Sequence, residues 1–343
     1  MPTFCRHSRF IQNCPICARE QAAELREVVS PGGAKRPASR RASTTRSPAM
    51  QVRRLTRGTD DGFRSPLVPG LKSSSDAERL AEELAFAAGR LARLETDPPG
   101  LYVAVAESAG AVSARRSADA DSTRSAAPAE PLAAPGDLEE GTWLAFLIAY
   151  LCPVDGDDPF AGIESARTTW SSGEEPALDG VPLGPRTAHD PARGTRTVDA
   201  YRAWAARAGS QAAAFGGDPL WSAERRFARA FERLALPGLH RDARFDLLVT
   251  LGRLGVYDLR AGSLQFGGAN EPTLAAKRAL GIGDTLLLER RAAELAEAAE
   301  LPLEALDLGL GNWGSGTRCT MGLEPTAEPD PVALESARAA LGL

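Results

Sequence analysis

The sequence predicts a mainly α-helical fold, and three observations carry that expectation. Apolar residues recur at three- and four-residue spacing in several separate stretches. The continuous apolar run 139–151 (EEGTWLAFLIAYL) is too short to cross a bilayer and suits a buried core helix. The stretch Leu236-Pro237-Gly238-Leu239-His240-Arg241-Asp242 joins two helical runs by a turn with room only for a hairpin.

Taken in order, the chain alternates between segments that can form a core and segments that cannot. Residues 1–30 hold four soft or borderline metal ligands, Cys5-x-His7 and Cys14-x-x-Cys17. Their number and type suit a closed tetrahedral zinc site, a knuckle that would stabilise a segment with little apolar content. Free cytosolic thiols, or an iron-sulfur cluster recruiting Cys319 in place of His7, are the alternatives. Residues 31–57 then carry Lys35, Arg36, Arg40, Arg41, Arg46, Arg53, Arg54 and Arg57 with no acidic residue, which predicts a disordered basic linker over 31–74. The net charge of −5 therefore conceals a cationic arm beside an acidic remainder. Such an arm holds a polyanion with an affinity that falls as salt rises, or serves only as a solvated tether.

Residues 75–108 predict an accessory helical segment. Ser75 lies near an N-cap, Leu80, Leu84, Ala87 and Leu91 share one side, and 101–106 reads as a short strand or more helix. The Ala-, Ser-, Asp- and Pro-rich residues 109–137 predict a second flexible linker. The principal domain is expected over 138–325 and a C-terminal helix over 326–343. No signal peptide, membrane span or repeat is visible, so the expected location is cytoplasmic, with the cysteines unpaired in a reducing compartment.

Within the principal domain the core helix ends at Cys152-Pro153, followed by an acidic turn at 154–158. The polar loop 182–195 (PLGPRTAHDPARGT) carries Arg186, His189, Asp190 and Arg193, and loops of this kind inside compact domains are more often functional than idle. Its arginines could grip phosphates or a bulky modified base; a salt-bridged surface loop is the alternative. Residues 198–215 predict one amphipathic helix with Tyr201, Trp204, Ala205 and Ala208 on its apolar side. The hairpin helices follow, 223–235 facing inward with Phe227, Ala230, Phe231 and Leu234, and 241–255 with Phe245, Leu248, Leu251 and Leu254. Pro237 fixes φ and Gly238 permits a left-handed turn, so the N–H groups opening the second helix can face outward and bind a phosphate. The bland reading is a tight turn between core helices. Asn270 and Pro272 predict the start of a helix running through 274–280. Trp143, Trp204 and Trp221 fit core faces, whereas Trp313, set between glycines in LDLGLGNWG, is the candidate for stacking on a base.

This order of buried helix, polar loop, amphipathic helix, hairpin, Gly-rich loop, helix and LDLGLGNWG resembles the helix-hairpin-helix DNA glycosylase superfamily over roughly residues 138–322. PLGPRTAHDPARGT, AAKRALGIGD and FCRHSRFIQNCPIC are similar to the alpha-glutamyl/putrescinyl thymine pyrophosphorylase (clade 3) group. That group in turn resembles anti-phage DNA glycosylases that remove glucosylated hydroxymethylcytosine. The resemblance implies a glycosylase-like helical fold that binds double-stranded DNA with modified bases, flips one base out and cleaves its N-glycosidic bond. Gly238, His240, Arg241, Arg186, His189, Arg193 and Trp313 would contact DNA.

Cleavage leaves positive charge on the sugar, which a carboxylate stabilises. The superfamily places an aspartate at the start of the helix after the hairpin element. Here Glu271 is the carboxylate nearest that place, and Asp258, twenty residues beyond Gly238, is its rival. The lysine that lyase-coupled members use as an amine nucleophile is matched by Asp242, so the expected enzyme is monofunctional and leaves an abasic site. His240 stands where a second glycine is usual, and the superfamily's C-terminal four-cysteine cluster is reduced to Cys319. Two other functions fit the same sequence: a transferase acting on the side arm of hypermodified thymine, and a non-catalytic DNA-binding adaptor.

Overall fold

The computed structural model describes residues 58–108, 110, 135–324 and 326–343. The candidate ligands Cys5, His7, Cys14 and Cys17, the basic stretch 31–57 and most of the second linker lie outside the described residues. Among those described there are twelve α-helices, one short 3-10 turn at Pro191–Arg193, and no strand. The helices are α1 (Ser74–Thr96), α2 (Leu101–Ser108), α3 (Pro135–Leu151), α4 (Ala161–Ala166), α5 (Arg196–Ala208), α6 (Gln211–Gly216), α7 (Ala223–Arg233), α8 (Arg241–Arg253), α9 (Glu271–Leu280), α10 (Thr285–Ala298), α11 (Ala305–Ser315) and α12 (Pro331–Leu341). None is long and apolar enough to cross a membrane.

The apolar run at 139–151 forms the buried core helix α3, in which every residue from Gly141 to Leu151 is buried. It packs against α2 and α8. Its aromatic side chains meet those of α5: Phe146 stacks on Tyr201 with ring centroids 3.8 Å apart, and Trp143 and Tyr150 stack on either side of Phe146 at 5.3 and 5.5 Å. Two glutamates near the start of α3 accept backbone N–H groups from distant segments. Glu139 accepts the backbone N–H of Gln211 (3.0 Å) and of Ala212 (2.8 Å) at the start of α6, and Glu140 accepts those of Trp170 (2.6 Å) and Ser171 (2.9 Å).

Helix α1 is part of the core rather than an accessory to it. Leu80, Leu84, Leu91 and Leu94 are buried, and the small residues Ala77, Ala81, Ala85 and Ala88 let α11 and α12 lie close against it. Residues 101–106, readable as strand or helix, are helical in α2. Residues 198–215 form two helices, not the one expected: Gly209 takes φ +94° and ends α5, and Ser210 restarts the chain by accepting the Ala213 N–H (3.0 Å). The glycine-rich LDLGLGNWG is itself a helix, α11. Glycine disfavours helices, but here the missing Cβ atoms admit neighbours. A Cβ on Gly309 would lie 2.9 Å from Leu84 Cδ2, and one on Gly314 would lie 2.7 Å from Ala275 Cβ.

The two helices expected on either side of Leu236–Arg241 form as α7 and α8, joined by 234–240. The Leu239 N–H closes the turn onto the Leu236 carbonyl (3.1 Å), and Leu239 is buried beneath it. Gly238 takes φ +86°, and an added Cβ would run into Thr197 Oγ1, which donates to the Pro237 carbonyl (3.0 Å). Gly238→Ala therefore meets an unfavourable backbone conformation and a clash together. It is expected to lower stability by about 1–3 kcal/mol, measured as a lower urea midpoint at unchanged m-value; an unchanged midpoint would show that the turn relaxes without cost.

Candidate active site

Two arginines and two aspartates, brought together from three places in the chain, form the polar centre of the domain. Arg186, from the 182–195 loop, donates from Nε to Asp246 Oδ2 (2.8 Å) and from Nη2 to Asp246 Oδ1 (3.2 Å) on α8. The same Nη2 reaches Asp307 Oδ2 (2.7 Å) on α11. Arg241, the first residue of α8, donates to the other oxygen of Asp307, to Asp242 Oδ1 (3.2 Å) and to the Leu264 carbonyl. All four side chains are less than a tenth exposed. The carboxylates Asp246 and Asp307 hold the Arg186 guanidinium charged well beyond its usual range, against the opposing effect of burial. Arg186 and Arg241 were candidates for gripping DNA phosphates. Their guanidinium groups are instead committed to internal carboxylates, so they act as tie bars and not as surface contacts.

His189 is also internal. Its Nδ1 is 2.9 Å from the Tyr150 hydroxyl, and burial lowers its pKa from the usual 6.5. The expected DNA contact is thus a buried histidine holding the loop onto α3. Trp313 lies within α11 and is 3% exposed, with its Nε1 donating to the Asp76 carbonyl (3.0 Å) and the Arg278 guanidinium 4.2 Å from its ring centroid. It is not a solvent-facing stacking platform. Its edge lines a cavity of about 260 Å³ together with Lys72, Arg79 and Arg278.

The remaining hairpin candidates are at the surface. His240 is the N-cap of α8: its Nδ1 accepts the Ala243 N–H (3.3 Å), which leaves Nε2–H to donate to the Thr187 carbonyl (2.8 Å). One of the N–H groups expected to face a phosphate is therefore capped from within. Arg193 is half exposed and pairs with Asp190 (3.2 Å), and its Nη1 lies 3.7 Å from where a Gly238 Cβ would be. Gly238, His240 and Arg193 thus form one exposed patch on the outer side of the hairpin.

The two carboxylate candidates have different surroundings. Asp258 is bound to Arg226, whose Nη1 donates both to its Oδ2 (2.6 Å) and to its carbonyl (2.7 Å). This pairing makes Asp258 a latch between the α8–α9 loop and α7. Glu271 is exposed at the first position of α9, where Asn270 caps the helix by accepting the Thr273 N–H (3.0 Å). Gly314 gives Glu271 room, since a Cβ there would fall 2.7 Å from Glu271 Oε1. One turn earlier, Gly311 leaves space between Pro272 and Arg186 Nη1. The buried ion network therefore lies across Gly311 from the start of α9, and through Arg241 it anchors the start of α8.

Asp246 and Asp307 had no sequence-based expectation, although a signal exists. Each is a lone carboxylate inside an apolar helical run, Phe245-Asp246-Leu247-Leu248 and Leu306-Asp307-Leu308, and a charge placed there needs a buried partner. Arg90 is another buried cation near them: a cavity of about 10 Å³, the size of one water, is lined by Arg90, Asp246 and Asp307. No protein-family model matches the chain, and neither a curated protein nor a solved structure is detectably similar to it.

Removing Arg186 leaves Asp246 without its bidentate partner in the interior. Arg186→Met is expected to cost about 3–5 kcal/mol, whereas Arg193→Met at the surface should change stability by less than about 1 kcal/mol. Denaturant unfolding of the two variants side by side checks this, and equal losses would remove the special status of the buried network.

A second expectation concerns acid. Burial makes the folded-state pKa of His189 lower than its unfolded value, so the unfolded chain binds the proton more readily. The associated stability is complete above the ordinary value of 6.5 and is lost as pH falls through the depressed folded-state value. His189→Gln should flatten this limb of the stability–pH curve; a curve parallel to wild type would place the titration elsewhere.

Proposed function

We propose that the chain is a monofunctional DNA N-glycosylase that binds duplex DNA through the hairpin surface and excises a flipped, modified base with Glu271. The observation that supports this reading is the buried network, which fixes the start of α8 and lies across Gly311 from the start of α9. The turn before α8 and the exposed Glu271 carboxylate are thereby offered by elements that flank one buried network. A glycosylase needs that combination, because the enzyme must grip the backbone while an anion waits beside the extruded sugar. Asp258, already bound to Arg226, is the weaker candidate.

Lysine placement fits the monofunctional reading. Of the chain's three lysines, Lys72 donates to the Pro69 carbonyl (2.8 Å), and Lys277 is six residues from Glu271 on α9, about 240° around the helix. Neither stands beside Glu271 to attack the sugar. The resemblance described above suggests a hypermodified phage base, such as glucosylated hydroxymethylcytosine, as the target and defence against phage as the role. Cys5, His7, Cys14 and Cys17 form a donor set suited to a structural zinc ion that would order the N-terminal segment without taking part in catalysis.

Glu271→Gln retains size and hydrogen-bonding reach but removes the charge. It is expected to slow base release by roughly two orders of magnitude or more while DNA affinity barely changes. Asp258→Asn should retain most activity. The assay incubates wild type and variants with modified and unmodified duplexes. Abasic sites support the glycosylase; an altered mass on an intact base indicates a transferase, and retention of DNA without chemistry indicates an adaptor. Full base release by Glu271→Gln would rule out the assigned carboxylate.

A further inference from the structure

Cys152 and Cys319 are 167 residues apart in sequence, yet their Sγ atoms lie 4.0 Å apart in the interior. Cys152 follows the last residue of α3, and Cys319 lies in the loop after α11. Neither has a part in the chemistry proposed above. Cys152 also occupies a left-handed backbone conformation, φ +59°, that side chains disfavour and a glycine would adopt without strain. Packing nevertheless holds its thiol in contact with Cys319 and with Met321 Sδ (3.7 Å). Gly184 closes over it, since a Cβ at that position would be 2.7 Å from Cys152 Sγ.

The two thiols are chemically unequal. Cys152 is pushed well up by its hydrogen bond to Cys319 and by burial. Cys319 is lowered, chiefly because it accepts that hydrogen bond, with the Arg186 charge adding to the effect. The thiolate is the reactive form, which makes Cys319 the candidate nucleophile of the pair.

We propose that Cys152 and Cys319 form a reversible intramolecular disulfide in response to peroxide, stapling the end of α3 to the loop after α11. The Cys319 thiolate attacks one oxygen of hydrogen peroxide, the O–O bond breaks, and hydroxide leaves, taking up a proton to become water. The Cys319 sulfenic acid then meets Cys152, whose sulfur attacks the Cys319 sulfur; the S–O bond breaks and the departing oxygen leaves as a second water with the Cys152 proton. Two thiols are oxidised and one peroxide is reduced to two waters. A small oxidant suits a site this buried, and the sulfurs need to approach by about 2 Å, within reach of side-chain rotation.

The test uses the full chain with Cys5, Cys14 and Cys17 replaced by serine, so that only this pair can react. The reduced protein is treated with hydrogen peroxide, alkylated after denaturation and mapped by mass spectrometry. The expected result is a peptide linked through Cys152 and Cys319, lost on addition of dithiothreitol. A rise in Tm of about 5 °C or more should accompany it, because the cross-link closes a long loop of the unfolded chain. In the same background Cys152→Ser should accumulate a dimedone-reactive sulfenic acid at Cys319, and Cys319→Ser should leave Cys152 largely unreacted. Recovery of both cysteines fully alkylated after peroxide, or linkage only between separate molecules, would overturn the proposal. Faster oxidation of Cys152 in Cys319→Ser than of Cys319 in Cys152→Ser would overturn the assigned nucleophile.

Discussion

The fold depends on a buried ion network in which Arg186 is shared by Asp246 and Asp307 and Arg241 completes the coordination of Asp307. Taking these charges out of water is costly, and only mutual pairing with good hydrogen-bond geometry offsets it. The arrangement thus tolerates no substitute partner. It joins a loop, the first half of α8 and the first turn of α11, elements with no reason in their local sequence to meet. Replacing all the charges by well-packed apolar groups could give equal stability, but it would not impose one register. What the ions add is a unique alignment of three elements, and that alignment matters to a protein whose candidate working parts lie on their rims.

Close helix packing is the second constraint. The glycines of α11 let α1 approach on one side and α9 on the other, with Leu84, Ala275 and the Glu271 carboxylate occupying the space that Cβ atoms would fill. A helix with this much glycine is intrinsically weak. Its stability comes from neighbours, chiefly α1, the longest described helix, whose Glu83 and Leu84 approach Gly309. The same packing places Glu271 at the surface end of an otherwise buried contact, where it is accessible.

The polar residues singled out from sequence divide by what surrounds them. Those satisfied inside, Arg186, Arg241 and His189, hold the frame; Gly238, Arg193 and Glu271 lie nearer the surface, and His240, though exposed, has both ring nitrogens bonded within the protein. The proposed glycosylase reading assigns binding to the second group and rigidity to the first. Catalysis by electrostatic preorganisation requires both, because an anion stabilises a developing cation only if it does not have to move to do so.

Much of the helical architecture was legible in the chain itself. The apolar period of α3, α7 and α8, the Leu-Pro-Gly turn between the last two, and Asn270 with Pro272 at the head of α9 are local signals, because capping and amphipathicity act over a few residues. Gly209-Ser210 was an equally local break whose signal was present in the sequence. The character of individual side chains was not local. Nothing near Arg186 distinguishes a phosphate-gripping arginine from one that binds Asp307, 121 residues away, and nothing near Trp313 says that Arg278 will cover it. Asp258 and Glu271 are alike as carboxylates, and only the position of Arg226 separates them. The sequence by itself determined which segments are helices and where they turn, since those free energies are summed over neighbours in the chain. The tertiary structure alone decided which charges are spent inside and which remain outside, because burial and pairing depend on residues that only folding brings together.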